Sequence, residues 1–234
     1  MRVPDYSSGN VRLWAAVDDY FAGKLVPFDS SLDAASKNNR EAGLPSHDVS
    51  GLQGMLLALL VKISRARSIL EIGTLGGYST LWLARLLPQD GRIVTIEANP
   101  RHAALARLNI EHAGMTHQVE MHVGPALDVL PQLGGSFDLI FIDADKTNNP
   151  AYIRWALRLS RPGTVIIGDN VVRGGAVIDP VSEDPNVHGV RNFVDIIAHE
   201  PRLQATAIQT VGEKGWDGFV LAIVGASDSI DDSQ

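Results

Sequence analysis

The stretch SILEIGTLGGYSTLWLARLL, residues 68–87, decides the fold class of this chain. SILEI has the composition of a buried β-strand, and YSTLWLARLL predicts a helix. Between them, Gly73, Gly76 and Gly77 allow the backbone to turn tightly and to approach a ligand closely. A strand, a glycine-rich turn and a helix in this order indicate the first unit of an α/β fold.

The alternation of strands and helices continues along the rest of the chain. Because the strands are rich in Val, Ile and Leu, the pattern predicts a mostly parallel sheet with helices on both faces. A buried helix is predicted to begin at residue 51, and another helix is predicted near 188–199, after a Gly/Pro-rich loop at 171–187. The further strands are predicted at 92–97, 119–123, 137–143, 164–169, 203–211 and 217–224.

The domain organisation is expected to be simple. The 234 residues contain no internal repeat and no linker, so residues 1–234 are expected to form a single domain. Residues 1–45 predict an N-terminal helical segment, in which one or two helices are separated by a polar break. Residues 226–234 predict a flexible acidic tail.

The amino-acid composition of the chain narrows the range of functions that it can have. The chain is 45% hydrophobic and 20% charged, and its net charge of -7 disfavours binding to nucleic acid or to anionic membranes. It has no cysteine, which excludes disulfides, thiolate zinc sites and cysteine nucleophiles. The longest apolar run, MLLALLV at 55–61, is too short for a membrane span, and the N-terminus lacks an apolar signal core. We therefore expect a soluble, cytoplasmic protein.

Ligands of a parallel α/β sheet bind outside the carboxyl ends of the strands. The turn after the first strand differs from the dinucleotide fingerprint G-x-G-x-x-G because Leu75 replaces its second glycine, so tight packing alone would also explain this turn. Glu97 follows the second strand and is placed to accept hydrogen bonds from ribose hydroxyls, or else is a solvated strand-end residue. In Gly124-Pro125-Ala126, the proline has no N–H, so Ala126 is the candidate donor to an adenine edge.

Oxygen-bearing side chains follow the fourth and fifth strands. Asp143 precedes Asp169 and Asn170 by one strand–helix–strand unit, so the three should meet at adjacent strand tips. Two carboxylates and an amide suit Mg²⁺ or Ca²⁺, although each residue alone would merely cap a loop. Lys146 is either an exposed lysine or a base beside the metal, and Asp145 has no evident role beyond polar support.

Together these motifs resemble a known family. E-I-G-x-x-x-G-Y-S-T at 71–80, the glutamate that ends the second strand, G-P-A at 124–126, F-I-D-A-D-K at 141–146 and G-D-N at 168–170 are similar to the cation-dependent, S-adenosylmethionine-using O-methyltransferases. This is the caffeoyl-CoA and catechol O-methyltransferase group, and the likeness extends from about residue 44 to the end. It implies a Rossmann-like methyltransferase fold with a seven-stranded sheet, an antiparallel last strand, and a homodimer.

The resemblance also implies roles for individual residues. Lys146 would be the catalytic base, acting with Asp143, and the metal would be magnesium, manganese or calcium. His47 and Trp216 would lie near cofactor or substrate. The implied metal ligands are Asp143, Asp169 and Asn170. The implied contacts of S-adenosylmethionine are Val49, Glu71, Gly73, Gly77, Ser79, Glu97, Ala126 and Asp143.

The resulting hypothesis is methyl transfer to a hydroxyl of a phenolic small molecule with vicinal hydroxyls, of the catechol, caffeoyl or flavonoid type. Three alternatives stay open. The acceptor would be a modified RNA base, the protein would be a nicotinamide-dependent oxidoreductase, or it would be a methyltransferase-like binding module without catalysis. The sequence does not specify the acceptor, the methylated position or the metal.

Overall fold

The computed structural model describes residues 9–226, so the predicted tail beyond Ala226 lies outside the described part of the chain. The strands are Ser68–Ile72 (β1), Arg92–Glu97 (β2), Val119–Val123 (β3), Leu139–Ile142 (β4), Val165–Asp169 (β5), Leu203–Gly212 (β6) and Gly215–Val224 (β7). The helices are Val11–Leu25 (α1), Ser30–Glu41 (α2), Gly51–Ile63 (α3), Tyr78–Arg85 (α4), Pro100–His112 (α5), Ala126–Val129 (α6), Asn149–Arg158 (α7) and Pro185–His199 (α8).

The seven strands form one sheet in the order β3-β2-β1-β4-β5-β7-β6. Strands β1 to β5 pair in parallel, and β7 is antiparallel to both of its neighbours. The predicted α/β fold with an antiparallel last strand is therefore confirmed. The strand order reverses between β1 and β4, and in open α/β sheets such a reversal opens a crevice at the carboxyl ends of the strands.

Two apolar layers cover the two faces of the sheet. Successive residues of a strand point to opposite faces, so Ile69 and Leu70 belong to different clusters. Ile69 shares its cluster with Leu57 of α3 and Trp82 of α4, whereas Leu70 shares its cluster with Phe193 of α8. The central strands β1, β2, β4 and β5 are thus buried on both sides, which leaves the strand ends for function. None of the helices within residues 9–226 is long and apolar enough to span a bilayer.

The structure differs from the predicted elements at the start of helix α8. Helix α8 begins at Pro185, three residues before its predicted start, and Asp184 caps it by accepting a hydrogen bond from the Asn186 N–H at 2.8 Å. Proline is well accommodated in a first helical turn, so Asp184-Pro185 was the overlooked signal. A short 3-10 turn, Lys146–Asn148, precedes α7, and Asn148 is the N-cap of α7.

Candidate active site

A cavity of about 610 Å³ opens at the carboxyl ends of β1, β2 and β4. It is bounded by the glycine-rich turn on one side and by the segments that follow β4 and β5 on the other. The site residues predicted from the sequence that line it are His47, Val49, Gly73, Ser79, Glu97, Ala126, Asp143, Lys146 and Asn170. Glu71, Gly77, Asp169 and Trp216 lie outside its wall.

The glycine-rich turn passes close to the end of β4. Gly73 has a φ of +97°, and a Cβ atom there would overlap the carbonyl oxygen of Asp143. Gly77, with a φ of +81°, begins α4. Leu75 also has a positive φ, +51°, which is uncommon for a side chain of this size and stores backbone strain at the cavity wall. The turn is therefore shaped for close contact with both the sheet and a ligand.

Glu97 holds this turn in place. Its carboxylate accepts hydrogen bonds from the N–H groups of Thr74 at 3.2 Å, Leu75 at 2.8 Å and Asn99 at 2.9 Å. An ionised carboxylate has about four acceptor positions. Three backbone donors leave about one position for a hydroxyl on the cavity side, so Glu97 is not merely a solvated residue at a strand end.

Glu71 lies fully buried behind the cavity wall. It accepts hydrogen bonds from the hydroxyls of Ser79 at 2.6 Å, Thr80 at 2.5 Å and Thr95 at 2.6 Å. Burial, which exceeds the opposing effect of these donors, raises the pKa of Glu71 from 4.5 to about 7. Because the Ser79 hydroxyl proton is directed at Glu71, that hydroxyl can present only its oxygen, as an acceptor, to the cavity.

The buried Lys146 pairs with the partly exposed Asp143 after β4. The Lys146 Nζ lies 3.0 Å from Asp143 Oδ1, and only 6% of Lys146 is exposed. Helix α8 covers this turn so closely that a Cβ atom at Gly189 would overlap the carbonyl oxygen of Lys146. The alternative of an exposed lysine is therefore wrong.

Asp145 has a structural role that the sequence analysis left unassigned. Its carboxylate accepts hydrogen bonds from the hydroxyls of Tyr152 at 2.5 Å and Thr147 at 3.0 Å, and from the amide of Asn148 at 2.7 Å. Burial and the Asp145 carboxylate raise the pKa of Tyr152 above its ordinary value. Asp145 thereby ties the Lys146 turn to α7.

Asp169 and Asn170 stand at the tip of the neighbouring strand β5. Asp169 accepts hydrogen bonds from the Asn170 N–H at 2.8 Å and from the Gln53 side chain at 2.7 Å. Burial, followed by the charge of Asp143, raises the pKa of Asp169, so the two carboxylates are near one another. Within residues 9–226, no three His, Asp or Glu side chains form a metal-binding group, so any cation here would depend on the Asn170 amide as its third donor.

Asp217 is a cavity residue that the sequence analysis missed. Its Oδ1 accepts hydrogen bonds from the N–H groups of Val172 at 3.0 Å, Arg173 at 3.1 Å and Gly218 at 3.0 Å. It lies near the start of β7, and because β7 is antiparallel, its start reaches the edge where the parallel strands end. A search restricted to residues after strands could not find it. Its neighbour Trp216 instead donates a hydrogen bond to Gln209 at 3.0 Å, away from the cavity wall.

A buried amide network joins the N-terminal helices to the glycine-rich turn. The Asn39 side chain donates to Asp48, which lines the cavity, at 3.1 Å and accepts from Asn109 at 3.1 Å. Asn109 also donates to the carbonyl oxygen of Gly76 at 2.8 Å. A Cβ atom at Gly76 would overlap the Asn39 amide, which explains a glycine at this position of the turn.

Comparison with known proteins identifies the family of this chain. Residues 30–223 match the family model described as O-methyltransferase. The chain belongs to the O-methyltransferase family. This confirms the resemblance drawn from the motifs, and it speaks against the nicotinamide-dependent oxidoreductase. O-Methyltransferases transfer a methyl group to oxygen, so family membership assigns this type of reaction to the cavity at the strand ends.

Relatives of this O-methyltransferase-family chain include proteins with bound ligands. A catechol O-methyltransferase of Mycobacterium tuberculosis is 53% identical over 89% of the chain and 94% of its own length. An O-methyltransferase of Bacillus cereus, solved in complex with S-adenosylhomocysteine, is 59% identical, covers 92% of this chain and 99% of its own, and has a TM-score of 0.90. TomG of Streptomyces achromogenes, an O-methyltransferase involved in tomaymycin synthesis and solved with S-adenosylmethionine, is 50% identical with a TM-score of 0.90, covering 94% and 100%.

Proposed function

We propose that this protein transfers a methyl group from S-adenosylmethionine to one hydroxyl of a vicinal dihydroxy aromatic small molecule, with a divalent cation held by Asp143, Asp169 and Asn170. The observation that carries the proposal is the pair formed by the buried Lys146 and Asp143, which stands at the cavity edge beside Asp169 and Asn170. The opposite wall is the glycine-rich turn.

The cofactor assignment is supported by the cavity wall and by relatives. The B. cereus and S. achromogenes enzymes bind S-adenosylhomocysteine and S-adenosylmethionine. In this chain, Glu97 would accept from the ribose, the Ala126 N–H would face the adenine, and Gly73 and Val49 would adjoin the amino-acid end. Glu71 and Gly77 would act from behind the wall by shaping the turn. When bound, the cofactor supplies an electrophilic methyl sulfonium.

The metal assignment is supported by the chemistry of the donor set. Asp143 and Asp169 place two carboxylates close together, and Asp169 is buried, an arrangement whose repulsion a divalent cation would offset. The hydrogen bond from Gln53 orients Asp169 from behind, as outer partners of metal ligands do. When bound, the cation lowers the pKa of a coordinated hydroxyl. Magnesium is the first choice, with manganese or calcium as alternatives.

Lys146 would accept the proton from the acceptor hydroxyl. A phenol ordinarily has a pKa near 10, so it needs help to ionise at neutral pH. The Nζ atom of Lys146 lines the cavity beside Asp143, and Asp143 can hold the ammonium that forms. The catechol name of the M. tuberculosis relative supports an acceptor with two adjacent hydroxyls.

The proposal is tested by incubating the protein with S-adenosylmethionine, Mg²⁺ and pyrocatechol and measuring the methylated product by mass spectrometry. We expect turnover that EDTA abolishes and that excess Mg²⁺ restores. Asp143→Ala should lose activity by about 10²–10³-fold, on the scale of losing a group that stabilises developing charge. Asp195→Asn, an exposed carboxylate of α8, serves as the control and should behave as the parent chain.

Two outcomes would reject parts of this function. Methylation that EDTA leaves unchanged would remove the metal from the mechanism. Tight binding of S-adenosylmethionine without transfer to any phenol would favour the non-catalytic binding module.

A further inference from the structure

A second cavity, of about 270 Å³, lies beside the first and is not used by the proposed chemistry. Helices α1 and α3 and the hairpin of β6 and β7 enclose it. Leu52, Leu56, Val211 and Phe219 form its apolar walls. The cavity is therefore of a size and character that accept an apolar fragment of a ligand.

The two cavities meet at the candidate metal ligands. Both are lined by Asn170, Lys214 and Asp217, and Asp169 faces the second cavity. Hydroxyls held at Asp143 and Asn170 would therefore lie at the junction. A cofactor held by Gly73 and Glu97 would take up the part of the first cavity along the glycine-rich turn, so the second cavity would offer the remaining space to the rest of the acceptor.

The charges around the second cavity have one predominant sign. Four carboxylates line it, those of Asp18, Asp169, Glu213 and Asp217, against the single amine of Lys214. A divalent cation at Asp169 would offset that residue and leave an excess of negative charge. Asp18 is fixed on the hairpin because it accepts the Glu213 N–H at 2.9 Å. A carboxylated substituent entering this cavity would be repelled, and an ammonium would be attracted.

Resting on the proposed function, we propose that the second cavity receives the ring substituent of the acceptor and selects apolar or cationic substituents over anionic ones. The acceptor class is thus a catechol with an alkyl or aminoalkyl side chain. The opposite placement, toward the end of the first cavity lined by Arg173 and Asn186, would favour a carboxylate instead. The sign of the preference therefore distinguishes the two placements.

The first measurement compares kcat/KM among four acceptors: pyrocatechol, 4-propylcatechol, dopamine and 3,4-dihydroxyphenylacetic acid. Pyrocatechol has no substituent and reports the proposed function alone. We expect 4-propylcatechol to exceed pyrocatechol by about ten-fold or more, the gain of a few buried methylenes. Dopamine should exceed 3,4-dihydroxyphenylacetic acid by a similar factor.

The second measurement fills the cavity from its exposed side. With Val211→Trp on β6, the Michaelis constant should rise by about ten-fold or more for the propyl-substituted catechol and stay within about two-fold for pyrocatechol. Ile208→Trp is the matched control, because Ile208 lies on the same strand with 43% exposure, against 51% for Val211, and does not line the cavity. It should leave all four acceptors unchanged.

Different experimental results would reject this inference and the proposed function. If pyrocatechol is methylated but the carboxylate is preferred, or if Val211→Trp affects the substituted and unsubstituted catechols equally, the second cavity does not hold the substituent. If none of the four catechols is methylated, the proposed function fails and the inference fails with it.

Discussion

Lys146 shows how a residue type that is ordinarily exposed acquires a specific position. Asp143 pairs with its amine, Asp145 ties its turn to α7, and Gly189 lets α8 cover its backbone. Asp143 and Asp145 lie in the segment after β4, and Gly189 lies in α8. A few contacts therefore leave the Lys146 side chain little freedom, as a proton-accepting group requires.

Replacing Lys146 by arginine tests its role as a base. Arginine keeps the positive charge beside Asp143 but stays protonated in proteins, so it cannot accept the hydroxyl proton. We expect kcat for pyrocatechol to fall by about 10²–10⁴-fold, the usual contribution of a general base. Thermal unfolding of Lys146→Arg should stay close to that of the parent chain. An activity within three-fold of the parent would show that another group takes the proton.

Glu71 should make the stability of the protein depend on pH. Its pKa is about 7 in the fold against 4.5 for an ordinary glutamate, so between these values the folded protein holds a proton that the unfolded chain has released. The free energy of unfolding from this group is therefore highest below pH 4.5 and falls as pH rises to about 7.

The variant Glu71→Gln removes this titration. From pH 5 to pH 8, the free energy of unfolding of the variant relative to the parent should rise by up to about 3 kcal/mol. Urea unfolding followed by circular dichroism measures it. A difference between variant and parent that is constant over this range would contradict the raised pKa of Glu71.

At the scale of elements, the site depends on turns that follow strands. The turn after β1 approaches the end of β4, and the hydrogen bonds from Thr74 and Leu75 to Glu97 join it to the end of β2. The carboxyl ends of the neighbouring strands β2, β1 and β4 are thereby linked. The positive φ of Gly73 and the absence of a side chain there are both needed for this arrangement.

The variant Gly73→Ala should separate these two requirements when it is compared with Gly163→Ala. Both glycines have a similar φ, +97° and +92°, but a Cβ at Gly163 has no atom within 4 Å, whereas one at Gly73 overlaps Asp143. We expect Gly163→Ala to cost about 1 kcal/mol of unfolding free energy for its backbone alone. Gly73→Ala should cost about 1–3 kcal/mol more because of the overlap. Equal losses in urea unfolding would show that the turn and β4 separate easily.

At the scale of the whole molecule, the N-terminal helices complete the site. The Asn39–Asn109 network joins α2 to α5 and to the glycine-rich turn, and Asp18 of α1 holds the β6–β7 hairpin. Segments far apart in sequence thus shape both cavities.

The predicted homodimer concerns a different surface and stays a prediction. Helix α1 exposes Leu13, Val17 and Tyr20 on one face, a surface that a second copy would cover.

The variant Asn39→Ala should weaken cofactor binding without touching the cofactor. It removes the hydrogen bonds from Asn39 to Asp48 and from Asn109 to Asn39, at a cost of about 1–3 kcal/mol. Titration calorimetry should show S-adenosylhomocysteine binding weakened by about three-fold or more. Arg40→Ala, an exposed neighbour on α2, is the control. Unchanged affinity in Asn39→Ala would mean that the network serves stability alone.

The sequence by itself determined the strand–helix alternation and the polar residues that follow β2, β4 and β5, because local composition and spacing report periodicity and strand ends. The antiparallel last strand was expected only from the resemblance to the O-methyltransferases. The sequence could not assign Asp217, Gln53 or Asn39, since each meets the site only through contacts distant in sequence. Burial was also decided by the tertiary structure. The covering of Lys146 by α8, and the burial of Glu71 behind hydroxyl donors, depend on which elements pack together, and no local pattern encodes that packing.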